Sequence, residues 1–146
     1  MKINAISQGY LGIGLFLIFT TVAMIKYPGG TIHDSGTVGY QFFYNFFSNL
    51  GEWTARNGEP NKISAYLFNS ALMILALSYF IFYYQFLKIL SKALQSYILR
   101  ISLISTILVS MVSFVLVAVF SGEAETHELH VLFVKIAFRV LLLHAV

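Results

Sequence analysis

Asn45, Ser48, Asn49 and Glu52 recur at i, i+3, i+4 and i+7, the spacing that sets four polar side chains on one side of a helix. Their amides, hydroxyl and carboxyl can donate, accept and titrate, which is the equipment of a ligand-facing surface. Glu128, Lys135 and Arg139 form a second group, falling within about 40° of one another at 100° per residue. Two cations at i, i+4 in apolar surroundings repel each other and call for an anion, such as a lipid phosphate or the glutamates of the preceding loop. Either Arg139 extends to the headgroups while Lys135 pairs inside the protein, or the face holds an anionic lipid or substrate headgroup.

Two histidines make a third group. His127 and His130 are three apart, as metal-binding pairs on a helix are, and Glu123, Glu125 and His33 are the available third ligands. The run Thr126-His127-Glu128-Leu129-His130 is one residue short of the H-E-x-x-H peptidase helix, and an ordinary interfacial pair is the commoner use of such residues. His144 lies too deep to pair with the others across a haem, so no cofactor is expected. Ser102, Thr106, Ser110 and Ser113 also share a stripe, but no base or oxyanion site accompanies them, and small hydroxyl residues serve helix packing.

These residues must be carried by elements built for lipid. Hydrophobic residues make up 58% of the chain and charged ones 10%, against about a quarter charged in soluble domains. Mean hydropathy is +0.79. There is no cysteine, which excludes disulfides, thiolate metal sites and cysteine nucleophiles. The net charge of +3 comes from scattered Lys and Arg, so a nucleic-acid footprint is not supported. Apolar runs at 9–26, 64–87, 98–120 and 129–146 approach the roughly 20 residues needed to cross a bilayer. The expected fold is one all-α membrane domain, a polytopic bundle with four spans. The first run could also be a signal peptide, but a cleavage site is poorly formed around 21–24.

Lys88, Lys92 and Arg100 surround the connection between the second and third runs, whereas residues 121–128 hold three glutamates and neither Lys nor Arg. Basic residues mark the cytoplasmic side, so Lys2 and the N-terminus are expected inside, with 27–63 and 121–128 outside a cell inner membrane. The outer segment 27–63 is long for a connection and should have structure of its own. Its aromatic centre, 40–52, is predicted to be an amphipathic helix in the headgroup plane, with Tyr40, Phe43, Phe47 and Leu50 toward the acyl chains. The polar row then either completes a plain cap or lines a polar pocket beneath it.

The order of Pro28-Gly29, then Asn45-Phe46-Phe47-Ser48-Asn49-Leu50-Gly51, then Pro60 and Leu67-Phe68-Asn69, resembles an uncharacterised family of bacterial and archaeal multi-pass proteins, distantly similar to the DRAM-like proteins. The resemblance implies roughly six spans, of which this chain holds four, and an extracytoplasmic Ser-Asp-Leu-Gly element matched by Ser48-Asn49-Leu50-Gly51. Asn49 stands where the family has an acid, which removes a titratable group. The resemblance brings a fold and no activity. The function expected is that of a non-enzymatic membrane protein, handling lipid or a small solute or serving as an accessory subunit of a membrane complex or homo-oligomer. The alternative is a metal- or haem-dependent membrane enzyme or redox subunit built on His127 and His130.

Overall fold

The computed structural model describes residues 5–90 and 96–145. Four α-helices account for most of them: α1 Ala5–Lys26, α2 Lys62–Leu90, α3 Tyr97–Val119 and α4 His127–Ala145. They pack in chain order, α1 on α2, α2 on α3 and α3 on α4, without substantial packing of α1 on α4. The protein is an all-helical bundle, and α1, α2 and α3 are each long and apolar enough to cross a membrane. Lys2, Lys92 and Val146 lie outside the described residues.

Two features depart from expectation. Helix α4 forms, but with Glu128, Lys135 and Arg139 along it the helix does not join the three candidate spans. Residues 40–52 form no continuous helix either. A turn at 42–44 is followed by a short 3₁₀ helix, Phe47–Gly51. The asparagines are the cause, because their side chains take the backbone partners that helical turns would use. Asn45 Oδ1 accepts from the Gln41 amide at 2.9 Å, and Asn49 Oδ1 from the Phe46 amide at 2.8 Å.

Helix α1 lies unusually close to α2. A Cβ on Gly12 would stand 2.2 Å from Ser78 Cβ, so the absent side chain sets the approach of the two backbones. Ser96 caps α3 by accepting from the Leu99 amide at 3.3 Å. Along the small-residue stripe of α3, Ser110 and Ser113 are buried, and Ser110 Oγ donates to the Ala137 carbonyl of α4 at 3.3 Å. Ser102 is exposed, so only the part of the stripe that meets α4 packs as expected.

The bundle has two unlike ends. At one, which we term the loop end, the two long connections meet: Glu123 Oε1 accepts from the amides of Trp53 and Thr54 at 2.9 and 3.1 Å. Residues 27–61 and 120–126 therefore share a side, as the charge pattern implies. Lys88 near the end of α2 and Arg100 near the start of α3 stand at the opposite end.

Candidate functional site

The polar row of 40–52 is buried at the loop end, and Phe42, Phe43, Tyr44 and Phe46 around it are exposed. Of the residues expected toward the acyl chains, however, Leu50 is buried in the core, Tyr40 packs edge-on against buried Tyr27 at 5.7 Å and Phe47 against buried Phe68 at 5.4 Å. The segment folds into the bundle instead of lying on it as a helix. Asn49 is 0% and Glu52 4% exposed, whereas Phe43 is 89% exposed. Asn45 is buried, and its Nδ2 donates to the Gly30 carbonyl at 2.8 Å. Ser48 is half-buried and stands outside the knot formed by the other three.

What holds the row in place is the first turns of α2. Asn61 Nδ2 lies 2.8, 3.2 and 3.4 Å from the carbonyls of Glu52, Leu50 and Asn49. Ser64 Oγ donates to the Leu50 carbonyl at 3.1 Å, and Asn69 Nδ2 to the Gly51 carbonyl at 3.1 Å. Four successive carbonyls thus take side-chain donors from Asn61, just before α2, and from Ser64 and Asn69 on it. The close approach requires glycine at 51, where a Cβ would come within 2.6 Å of Asn69 Oδ1. Asn61 Oδ1 is buried without a hydrogen-bond partner, since turning the amide nitrogen toward the carbonyls leaves the oxygen facing none.

Glu52 is the titratable centre of this knot. Its Oε1 accepts from Arg56 Nη2 at 2.7 Å and from Asn49 Nδ2 at 3.0 Å. Burial pushes the carboxyl above its ordinary value of 4.5; Arg56 and Asn49 pull it down by less, and Glu123 adds to the rise. Arg56 is fixed at its backbone too, since its amide donates to the Tyr27 hydroxyl at 3.0 Å. Burial also pushes that hydroxyl above 10.0. The chain crosses itself here: Gly30, at φ +84°, approaches so closely that a Cβ would fall 2.2 Å from the Asn57 amide nitrogen.

The remaining candidates fall apart from this knot. His130 is buried, with Nδ1 2.7 Å from the Phe120 carbonyl, while His127 is exposed. No group of three or more His, Cys, Asp or Glu able to hold a metal occurs among the described residues, so Glu123, Glu125 and His33 do not complete a site with the pair. Lys135 and Arg139 are both exposed and point away from the bundle.

Asn61, Ser64 and Arg56 carry the site without having stood out as candidates. A signal for Asn61 and Ser64 was present: Asn61 follows Pro60 at the N-terminal edge of α2, on the side where Ser64, Ala65, Phe68 and Asn69 are buried.

Away from the knot, a cavity of about 560 Å³ opens between α1 and α4 over the middle of α2. Gly9, Tyr10 and Ile13 of α1, Tyr79 and Phe82 of α2, Phe114 of α3 and Leu141 of α4 are among its lining residues. Set beside known families, characterised proteins and solved structures, the chain matches none.

Proposed function

We propose that this chain is a non-enzymatic, multi-pass membrane protein that handles lipid, taking one apolar chain into the cleft between α1 and α4. The observation that carries the reading is the cleft itself. Its volume of about 560 Å³ lies in the range of ligand pockets. A methylene takes up no more room than a water, roughly 30 Å³, so the cleft accepts about twenty carbon-sized groups, one acyl or isoprenoid chain. Its rings and aliphatic side chains offer dispersion contacts, and the gap between α1 and α4 gives a chain lateral entry from the bilayer.

The same proposal places the chain in a cell inner membrane with the N-terminus cytoplasmic and the loop end outside. Lys88 and Arg100 at the opposite end and a 120–126 connection with neither Lys nor Arg support it, against Lys26, Arg56 and Lys62 at the loop end, which weaken the contrast. Kinship with the multi-pass family rests on Ser48-Asn49-Leu50-Gly51 and its flanking elements.

A phospholipid with a photoactivatable acyl chain, incorporated with the protein in nanodiscs, tests the cleft. Adducts are expected at 9–13 and 75–83 above those at the exposed Leu17 and Val112, and Ile13→Trp should suppress them by filling the opening. Adducts spread evenly over all exposed faces would refute the reading.

A further inference from the structure

The charged face of α4 lies at a depth that the packing of α3 on α4 fixes. Phe120 stacks on Phe133 at 5.7 Å, Phe114 meets Phe138 edge-on at 5.5 Å, and Ser110 bonds the Ala137 carbonyl, so the two helices run antiparallel. In that register Lys135 is level with about Val117 and Arg139 with about Ser113. Helix α3 has 23 residues, about 34 Å at 1.5 Å per residue, close to the hydrocarbon thickness of roughly 30 Å. Its loop-end terminus, Val119, thus marks the membrane boundary on that side. Lys135 then lies about 3 Å, and Arg139 about 9 Å, inside it.

Both cations look outward. Ala137, fully buried against α3, is about 160° around the helix from each of them. Neither has a hydrogen bond or ion pair among the described residues. Of the acids toward the loop end, Glu52 is engaged with Arg56 and Asn49, and Glu123 with the amides of Trp53 and Thr54, while Glu128, exposed on the same face of α4, is seven residues or about 10 Å along the helix from Lys135.

We propose that Lys135 and Arg139 bind the phosphate of a membrane phospholipid in the leaflet at the loop end. From about 3 Å inside, Lys135 reaches the headgroup layer while its stem stays in hydrocarbon, and Arg139, one turn deeper, meets the phosphate by local thinning of the bilayer; a lipid phosphate is the anion already held there. A partner helix would have to carry a carboxylate into hydrocarbon to do the same, at the cost of desolvating it. The planar guanidinium of Arg139 grips two phosphate oxygens, and Lys135, one turn nearer the boundary, adds a point charge. The site is on the far side of α4 from the cleft and stands independently of it.

Native mass spectrometry of the full chain in detergent, with added phosphatidylglycerol or the matching diacylglycerol, tests the assignment. Two basic side chains near a lipid phosphate should favour the phospholipid on the order of thirtyfold. Lys135→Gln with Arg139→Gln should abolish the preference. Arg139→Lys should keep part of it, and the cleft variant Ile13→Trp all of it. An unchanged midpoint of detergent unfolding will show that the double variant folds. A folded double variant that still prefers the phospholipid overturns the proposal, as does a co-purifying acidic membrane protein that crosslinks at position 139 in place of lipid.

Discussion

Replacing Asn61 should unfasten the loop from α2 more than replacing any other side chain of the knot, and the hydrogen-bond pattern says by how much. Its Nδ2 serves the carbonyls of Asn49, Leu50 and Glu52. In Asn61→Ala, the Leu50 carbonyl keeps Ser64 and the Asn49 carbonyl keeps the Glu52 amide, so only the Glu52 carbonyl is orphaned. An orphaned buried acceptor costs about 1–3 kcal/mol, and the two lost donor bonds about 1 kcal/mol each. Removing the unpartnered Oδ1 returns on the order of 1 kcal/mol, for a net loss of about 2–4 kcal/mol. Ser64→Ala should cost about 1 kcal/mol, because the Leu50 carbonyl retains Asn61 at 3.2 Å. The two variants compete for one acceptor, so the double variant should lose more than both single losses together. The readout is built in: Trp53 is the single tryptophan, it packs on Tyr66 at 5.0 Å, and its carbonyl accepts from the Asn61 amide. Equilibrium unfolding in mixed micelles, followed by Trp53 fluorescence, measures all three. If Asn61→Ala costs no more than Ser64→Ala, the carbonyl accounting is refuted.

Glu52→Gln should flatten the pH dependence of stability. Because burial raises the carboxyl of the folded state above 4.5, its contribution is fully present below 4.5 and is lost as pH rises through the raised value. Arg56, Glu123 and Tyr27 are the titratable or charged neighbours named by the geometry and by their effect on these groups. Unfolding midpoints measured across that window should fall for the native chain and stay level for the variant; parallel curves would discard Glu52 as the source. Gly12→Ala should push α1 off α2 at a cost of about 1–3 kcal/mol, as overpacking does. Ser78→Gly should recover most of this in the double variant, and simple additivity in the same unfolding assay would show that the contact does not set the helix approach.

The helices were legible because their signal is local. Each spanning run is a block of apolar residues, and α1, α2 and α3 extend or trim those blocks by a few residues at their ends. The meeting of the two long connections was legible from charge, since loops joined by successive crossings alternate in side. Periodicity misled at 40–52, where it grouped Asn45, Asn49 and Glu52 correctly but included Ser48, set the buried Leu50 on the lipid side and implied a helix. A pattern of spacing cannot tell whether an asparagine shows its amide to solvent or bonds a backbone amide, and Asn45 and Asn49 do the latter. The partners of that row were hidden for a different reason. Asn61 is 9 to 12 residues from the carbonyls it serves, and which groups meet across such a separation is decided by packing. The cleft was illegible altogether, because it is a gap among four helices whose spacing depends on contacts such as Gly12 against Ser78.

The burial of the polar row follows from depth. Phe47 packs 6.2 Å from Phe16, which precedes the end of α1 by ten residues, about 15 Å. The 3₁₀ segment therefore reaches down beside α1 instead of resting above it, and non-helical backbone at such depth survives only where the protein satisfies its polar groups. Amides turned to the inside are the arrangement this demands. Carboxylates could not replace the amides, since the carbonyls need donors and Asn49 must act both ways, accepting from the Phe46 amide and donating to Glu52 at 3.0 Å. An acid at 49 would set a second carboxylate against a buried first, and one of the two would have to keep its proton. With asparagine there, the negative charge of the knot stays on Glu52 alone, where one guanidinium can answer it.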